Sequence, residues 1–401
     1  MRRIKDFILN GITYVSSGIG IFILIAILVF IFRNGFGSLS MSLLTSDYYQ
    51  TTYNTNIIDS TFYKLGDFED PKIENSFFSE TWGISLKNGN NVAGEKIVEI
   101  NYVAVSSPFK SMNDVATGEK REIGKGYALS KIIMTNENDD FIMALAKDGA
   151  EEVVKKLEQA TIITDMIAST GGGGIRGSLL TTLYLIILTL TLALPTGICA
   201  AIYLHEFSLN NRLTRFIRIM IDMTSGIPSI IFGLAGAVIF IPFMNGVINS
   251  NGGSIASGAL TLTLILLPII IKTTEEALKV IPVNYRSASL ALGASKTQTI
   301  FKVVLPNAVS GILTATLLSI GRIIGESAAL IYAVGTAIKD NVAINEKSTS
   351  LAVHIWSLMS GENPNFALAS AIAIIIMIIV FILSISVKLI SQRLNKIKVG
   401  N

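Results

Sequence analysis

Residues 275–306 read EEALKVIPVNYRSASLALGASKTQTIFKVVLP, a polar and basic stretch lying between two apolar runs at 257–271 and 307–335. Pro282 suits a first helical turn, and Gly293 suits a C-terminal stop because glycine enters the left-handed region without steric cost. Ser295 followed by Gln298 fits the capping box that starts a second helix, and Pro306 stands at the entry to the next apolar run. The local grammar is therefore two short helices joined by a turn. Set between segments that can enter a bilayer, such an element can transmit force as a rigid body; read on its local signals alone, it is also compatible with an ordinary amphipathic loop.

The composition is that of a membrane protein. Of 401 residues 50% are hydrophobic and 15% charged, with a mean hydropathy of +0.57. Adding the glycines gives roughly 58% apolar, against about 25% charged and 45–50% apolar in an ordinary soluble chain. This excludes a cytosolic enzyme and a nucleic-acid binder as starting points. The single cysteine, Cys199, excludes a disulfide framework or thiolate metal cluster, and lying in an apolar span it reads as packing.

Residues 11–32 form one almost uninterrupted apolar run behind Arg2, Arg3 and Lys5. About 20 residues cross a bilayer, so this run reads as a retained anchor rather than a cleaved leader. Five further runs fall near 178–204, 219–241, 257–271, 307–335 and 366–387. With the N-terminus inside, the short cytoplasmic segments carry fifteen basic residues and the short outer loops only Lys339 and Lys347. The positive-inside rule then places both termini in the cytoplasm and residues 34–169 outside. The domain reading follows: 1–33 cytoplasmic N-terminus and first span, 34–170 extracytoplasmic insert, 171–390 core with five spans and the loop 275–306, and 391–401 cytoplasmic tail. The fold class is an all-α polytopic membrane protein with a small α+β insert. Within the insert, 96–105 and 126–134 read as strands, and 139–168 reads as helical from the recurrence of its apolar residues. The glycines at 171–174 read as a flexible joint.

Arg322 and Glu326 stand inside the fifth run, four residues apart, which would put them on one helical face. Ionisable groups at membrane depth cost at least about 2.5 kcal/mol each and usually face a protein interior or a water-filled route. An arginine can grip an oxyanion with two parallel N–H donors. Glu326 could orient Arg322 or accept a substrate proton, and the two could equally be a structural ion pair. Gly321 and Gly325 beside them have the spacing that lets membrane helices approach closely. Gly226-Ile227-Pro228-Ser229 interrupts the third run, and a proline kink is favoured there over a broken helix whose N-terminus attracts an anion.

No catalytic motif survives inspection. The stretch 118–125, GEKREIGK, has five residues between its glycines and Gly126 after the lysine, so it is not a phosphate-binding P-loop. His205-Glu206 lacks the second histidine of a zinc protease, and His354 is remote in sequence. No enzyme activity, cofactor, metal or nucleic-acid partner is expected, and the energy for any transport must come from another subunit.

The loop residues Ala288, Gly293, Leu305 and Pro306 stand at the spacing of the coupling motif of bacterial ABC-importer permeases, which this chain resembles. It is similar in particular to the A-type permeases of phosphate importers, the PstA family, within the binding-protein-dependent transport system inner membrane components. The stretches GGGGIRGSLLTTLY (171–184), SGIPSIIFGL (225–234), LPIIIKTTEEAL (267–278) and the run 282–330 ending in GRIIGESAAL carry that resemblance. It implies six helices of the type I importer permease fold in a bacterial inner membrane. It further implies a homologous C-type permease partner, two ATP-binding subunits that dock on the coupling loop, and an extracytoplasmic phosphate-binding protein. Arg322, Glu326, Lys272 and Ser327 are the implied pathway residues, although Lys272 stands where arginine is usual, Ser327 where threonine is usual, and Ser287 where glutamate is common. An importer of molybdate, sulfate or phosphonate is the neighbouring alternative. A membrane-anchored sensor using the insert is the alternative of another class. The insert is larger than the resemblance explains.

Overall fold

The chain is described from a computed structural model covering residues 2–57, 66, 68–90, 96–170, 172–209, 211–361 and 364–399. It divides into two units, Met41–Arg176, and Met1–Ser40 together with Gly177–Asn401. Among the described residues six helices are long and apolar enough to cross a membrane: Leu9–Ser38, Arg176–Phe207, Ser229–Ile248, Ile255–Lys279, Lys296–Gly325 and Phe366–Arg393. The first of these is α1 (Arg2–Gly35) with one 3-10 turn appended.

The unit Met41–Arg176 opens with a short helix α2 (Met41–Thr45) and is built on an antiparallel sheet. Its strands are β1 (Thr52–Ile57), β2 (Phe77–Ser79), β3 (Ile84–Asn90), β4 (Lys96–Val103), β5 (Met112–Asp114), β6 (Lys120–Arg121), β7 (Tyr127–Thr135), β8 (Phe141–Leu145) and β9 (Ile162–Thr170). They run in the order β2-β3-β4-β7-β9-β1-β5-β6, with β8 paired to β7. The helix α3 (Ala150–Glu158) buries Val153, Val154 and Leu157 in the same core as Trp82, Ile84 and Ile100. Trp82 is wholly buried, and its indole N–H donates to the Leu157 carbonyl at 2.9 Å, so the ring fills space without stranding its polar atom.

The expected helix over 139–168 is instead β8, a 3-10 turn at Ala146–Asp148, α3 and β9. Asn136 Oδ1 accepts the backbone N–H groups of Asn138 and Asp140, and Asp139 takes a positive φ of 63°, which makes a hairpin turn into β8. Beyond α3, Ile162-Ile163-Thr164 enters β9, which pairs with both β7 and β1 as an inner strand. The glycine joint is also different from expectation. Gly173 and Gly174 donate to the carbonyls of Tyr48 and Asp47, and a Cβ on Gly174 would lie 1.9 Å from the Ser46 carbonyl oxygen. These glycines permit a tight backbone approach, not a hinge; Gly171 lies outside the described residues.

The helical unit continues with α4 (Arg176–Ile202), extended by a π turn at Tyr203–Phe207, then α5 (Arg212–Thr224), α6 (Ser229–Ile248) and α7 (Ile255–Lys279). After them come α8 (Val283–Ala291), α9 (Lys296–Thr299), α10 (Leu305–Gly325), α11 (Ala328–Ala333), α12 (Leu351–Met359) and α13 (Phe366–Val399). The third span is displaced from the expected 219–241. Pro228 has no N–H and pushes Ile227 out of the helical region, so α5 ends at Thr224 and α6 starts afresh at Ser229. This is a break and not a proline kink. The expected fifth span, 307–335, is likewise divided, with α10 ending at Gly325 and Glu326 in extended conformation. At its other end Pro306 does not open the span, because α9 runs through a π turn at Ile300–Val304 directly into α10.

α7 is the most enclosed span, burying Leu262, Leu266 and Ile270 against Leu185 and Ala193 of α4 and Leu330 of α11. One face of α4 is polar and equally buried. Ser178 Oγ lies 2.8 Å from His354 Nδ1, Thr181 Oγ1 lies 2.6 Å from Ser348 Oγ, and Thr182 Oγ1 accepts the Leu351 N–H at 2.9 Å. The chain closes this seam tightly at Gly177, where a Cβ would sit 1.8 Å from the Lys339 carbonyl oxygen. His354 lies in α12, outside the spans, and is fully buried; that burial holds its imidazole down to about 4, against an opposing pull from Asp340.

The fold requires neutral His354, whereas the unfolded chain takes up a proton below the ordinary value of about 6.5, so the contribution is complete above that value and is lost as pH falls toward about 4. Thermal unfolding of the detergent-solubilised protein should therefore lose about 2 kcal/mol between about pH 7 and about pH 5 that His354→Asn does not lose. Equal pH slopes for the two proteins would show that the imidazole does not carry this dependence.

Candidate functional site

Arg322 occupies the last turn of α10, where a cation complements the helix C-terminus, and Glu326 lies just beyond the helix end. They do not share one helical face as the spacing suggests, yet they meet: Arg322 Nη2 is 3.0 Å from Glu326 Oε2. Glu326 is buried to 3% exposure, whereas the arginine side chain is 46% exposed. The other carboxylate oxygen, Oε1, accepts the Ala329 N–H at 3.2 Å. One buried carboxylate thus caps the first turn of α11 and fixes the guanidinium across the break. Ser327 is half-buried at the N-cap position of α11, with its carbonyl accepting the Ile331 N–H.

Lys272 belongs to another group. Its ammonium is 2.8 Å from Asp222 Oδ1 and 3.2 Å from Ser225 Oγ, so it ties α7 to the end of α5 just before the Pro228 break. The four nominated pathway residues thus form one contiguous trio and one separate ion pair. Along α10, Asn307, Thr314, Leu318 and Gly325 are exposed, and beside Arg322 a Cβ on Gly321 or Gly325 would meet nothing within 4 Å. Close packing inside this chain does not account for those two glycines.

The loop after α7 folds as its sequence reads. Gly293 takes φ +85° and donates to Leu290, ending α8. Ser295 and Gln298 form both halves of a capping box. Ala288 and Gly293 are exposed, and no residue of α8 is buried; Val283, Leu290 and Leu292 all show apolar surface. Leu305 and Pro306 are instead half-buried on α10, with Leu305 packed against the cluster of Ile202, Leu278, Ile300 and Val304.

What fixes α8 to the spans is Arg286, which sequence reasoning did not single out beyond its charge. Its guanidinium reaches Glu206 at 2.7 Å and donates to the carbonyls of Ile281 and Leu278. Both partners are largely buried, with side-chain exposures of 18% and 8%. Arg218 makes a parallel link, 2.9 Å from Glu275 of α7 and 2.7 Å from the Leu204 carbonyl. The usable signal was Glu206 itself, an acid at the end of an apolar span that needs a cation nearby.

A family profile described as binding-protein-dependent transport system inner membrane component matches residues 193–396, just over half of the chain. A Bacillus subtilis protein described as probable ABC transporter permease protein YqgI is 33% identical over 218 residues, covering 51% of this chain and 72% of the relative. The phosphate transport system permease protein PstA of Yersinia pestis is 37% identical over 164 residues, covering 41% of this chain and 54% of its own length. A PstA homologue of Mycoplasma pneumoniae is 32% identical over 187 residues, with only 29% of its own length covered. A solved structure of the MetNI methionine ABC transporter in inward-facing conformations superposes with a TM-score of 0.44 at 24% identity, over 55% of this chain and 95% of that one. The six apolar spans and the matched core together make this a multi-pass inner-membrane protein, and the chain belongs to the binding-protein-dependent transport system inner membrane component family, as an ABC-importer permease subunit.

Proposed function

We propose that the chain is the A-type permease of an importer of inorganic phosphate, forming half of the translocation route beside a homologous C-type subunit. Two cytoplasmic ATP-binding subunits supply the energy, and an extracytoplasmic binding protein delivers the anion. The observation that carries the reading is Arg322: a half-exposed guanidinium at the end of a membrane helix, held by a buried carboxylate. A fixed cation in a low-dielectric cavity stabilises an anion far more than one at a surface. The similarity to phosphate permeases supplies the choice of anion. Both Glu326 oxygens are already engaged, which supports an orienting role over acceptance of the substrate's proton. Lys272 and Ser327 are assigned to the same route, Lys272 at its cytoplasmic end and Ser327 beside the break. The uncovered Gly321 and Gly325 suit close approach by the partner permease.

In this reading Ala288 and Gly293 present the docking surface to the ATPase, and Leu305 and Pro306 pass its movement into α10. Both termini are cytoplasmic and residues 34–170 are extracytoplasmic, as the distribution of basic residues suggests.

Arg322→Gln should lower labelled-phosphate uptake by the assembled importer in vesicles at least about a hundredfold, since a charge facing a low-dielectric site is removed. Arg322→Lys should recover little, because an ammonium does not reproduce the two-pronged donor. Subunit abundance in the membrane separates this from misfolding, and wild-type uptake by Arg322→Gln would make the arginine structural.

Gly293→Val forces a β-branched residue into positive φ and should misdirect α9. ATP hydrolysis should then persist while uptake falls; tightly coupled uptake in this variant would remove the loop from the coupling role.

Val105 is 93% exposed on the sheet unit. In a Cys199→Ser background, Val105→Cys should react with a membrane-impermeant thiol reagent added to intact cells; labelling only after lysis would reverse the topology.

A further inference from the structure

α5 has two apolar faces, and the chain accounts for only one of them. Thr214 is buried, Ile217 and Ile221 pack against Ala201, Leu204 and Ile271, and Arg218 reaches Glu275. On the opposite side Leu213, Phe216, Met220 and Met223 are 65%, 57%, 40% and 60% exposed. Their spacing of three, four and three residues makes one continuous stripe along the helix. Arg212 and Arg215 stand exposed beside this stripe.

Two constraints identify what covers it. The helix follows closely on the span Arg176–Phe207 and closely precedes the span Ser229–Ile248, so it is held at a membrane boundary by both ends. Its 13 residues reach only about 20 Å, short of the roughly 30 Å hydrocarbon core, and its three arginines forbid burial in hydrocarbon. An amphipathic helix so tethered lies along the interface, with its apolar stripe in the upper acyl layer and its arginines at headgroup depth.

We propose that α5 is an interfacial helix that binds anionic phospholipid, with Arg212 and Arg215 holding the headgroup phosphates while Leu213, Phe216, Met220 and Met223 enter the acyl boundary. The lipid-facing stripe and the protein-facing side with Arg218 belong to the same short helix, which ends directly before the Pro228 break. The surface charge of the leaflet thereby acts on an element clamped to α7. This inference rests on membrane insertion alone and is independent of which anion the importer carries.

The test uses the full chain purified with the subunits that accompany it, from vesicles of phosphatidylcholine and phosphatidylglycerol in equal amounts. A bimane label on Phe216→Cys, in a Cys199→Ser background, should be quenched by lipids brominated near the headgroup end of the acyl chain. Arg212→Gln and Arg215→Gln should each lower the phosphatidylglycerol retained relative to phosphatidylcholine by about fivefold, the worth of one basic side chain at an anionic surface. Lys120→Gln with Lys125→Gln, exposed charges of the sheet unit, should leave that ratio unchanged. A label insensitive to bromolipid would assign the stripe to a neighbouring subunit and overturn the proposal. So would a retained-lipid ratio that does not respond to either arginine.

Discussion

A helix end buried in the protein exposes backbone donors and acceptors where no water can satisfy them, and this constraint governs the helical unit. At the division between α10 and α11 the chain answers it with Glu326, whose carboxylate takes the Ala329 N–H on one oxygen and Arg322 on the other. The acid is buried because it caps, and the cation is there because the acid is buried. Removing either leaves a stranded group, so the geometry of the break and the position of the guanidinium are one property. At the division between α5 and α6 the N-cap is Pro228, which itself has no N–H and whose carbonyl accepts the Ile231 N–H at 3.0 Å, with the Lys272–Asp222 pair beside it.

Legibility followed the range of the forces involved. The loop at 275–306 was readable residue by residue, because caps and positive-φ glycines are local: Gly293 and the Ser295–Gln298 pair needed no neighbour to specify them. Apolar runs identified the spans as elements but not their ends. Residues 219–224 are apolar enough to extend α6, and only Pro228 with the arginines of α5 separates them. The stretch 139–168 misled because Val153, Val154 and Leu157 do recur as in a helix while Ile162 and Ile163 continue the count by coincidence. Pairing of β9 with β7 and β1, contacts far away in sequence, decides that segment. Of the candidate site, the Arg322–Glu326 contact was visible and its geometry was not, since a spacing of four presumes the very helix that ends between them.

The polar seam of α4 illustrates a second gap. Ser178, Thr181 and Thr182 look innocuous in an apolar span, where hydroxyls commonly bond back to their own helix, as Thr181 and Thr182 also do. Their significance depends on Ser348, Leu351 and His354, more than 160 residues downstream. Gly177 marks the place only in retrospect, through the carbonyl of Lys339 that sits where a side chain would be.

These arrangements meet in the path from the loop to Arg322. α9, the π turn and α10 form one helical body from Lys296 to Gly325, about 45 Å long at 1.5 Å per residue, with Ser295 at one end and Arg322 at the other. α8 is pinned through Arg286 to Glu206 and to the end of α7. The exposed corner at Gly293 and the contact of Ser289 Oγ with Thr299 Oγ1 at 2.9 Å join α8 to that helical body, whose Ile300 and Val304 pack on Ile202, Leu278 and Ile281 at the same α4 and α7 ends. A push on α8 or α9 therefore bears on the α4 and α7 ends and on α10, at whose far end stand the guanidinium and the break. Because Glu326 is fixed to Arg322 and to α11 at once, a shift of α10 cannot leave the break unaltered: the carboxylate must follow the arginine or release it. In the proposed importer that choice would be made where the anion passes, at the far end of the helix that the ATPase moves.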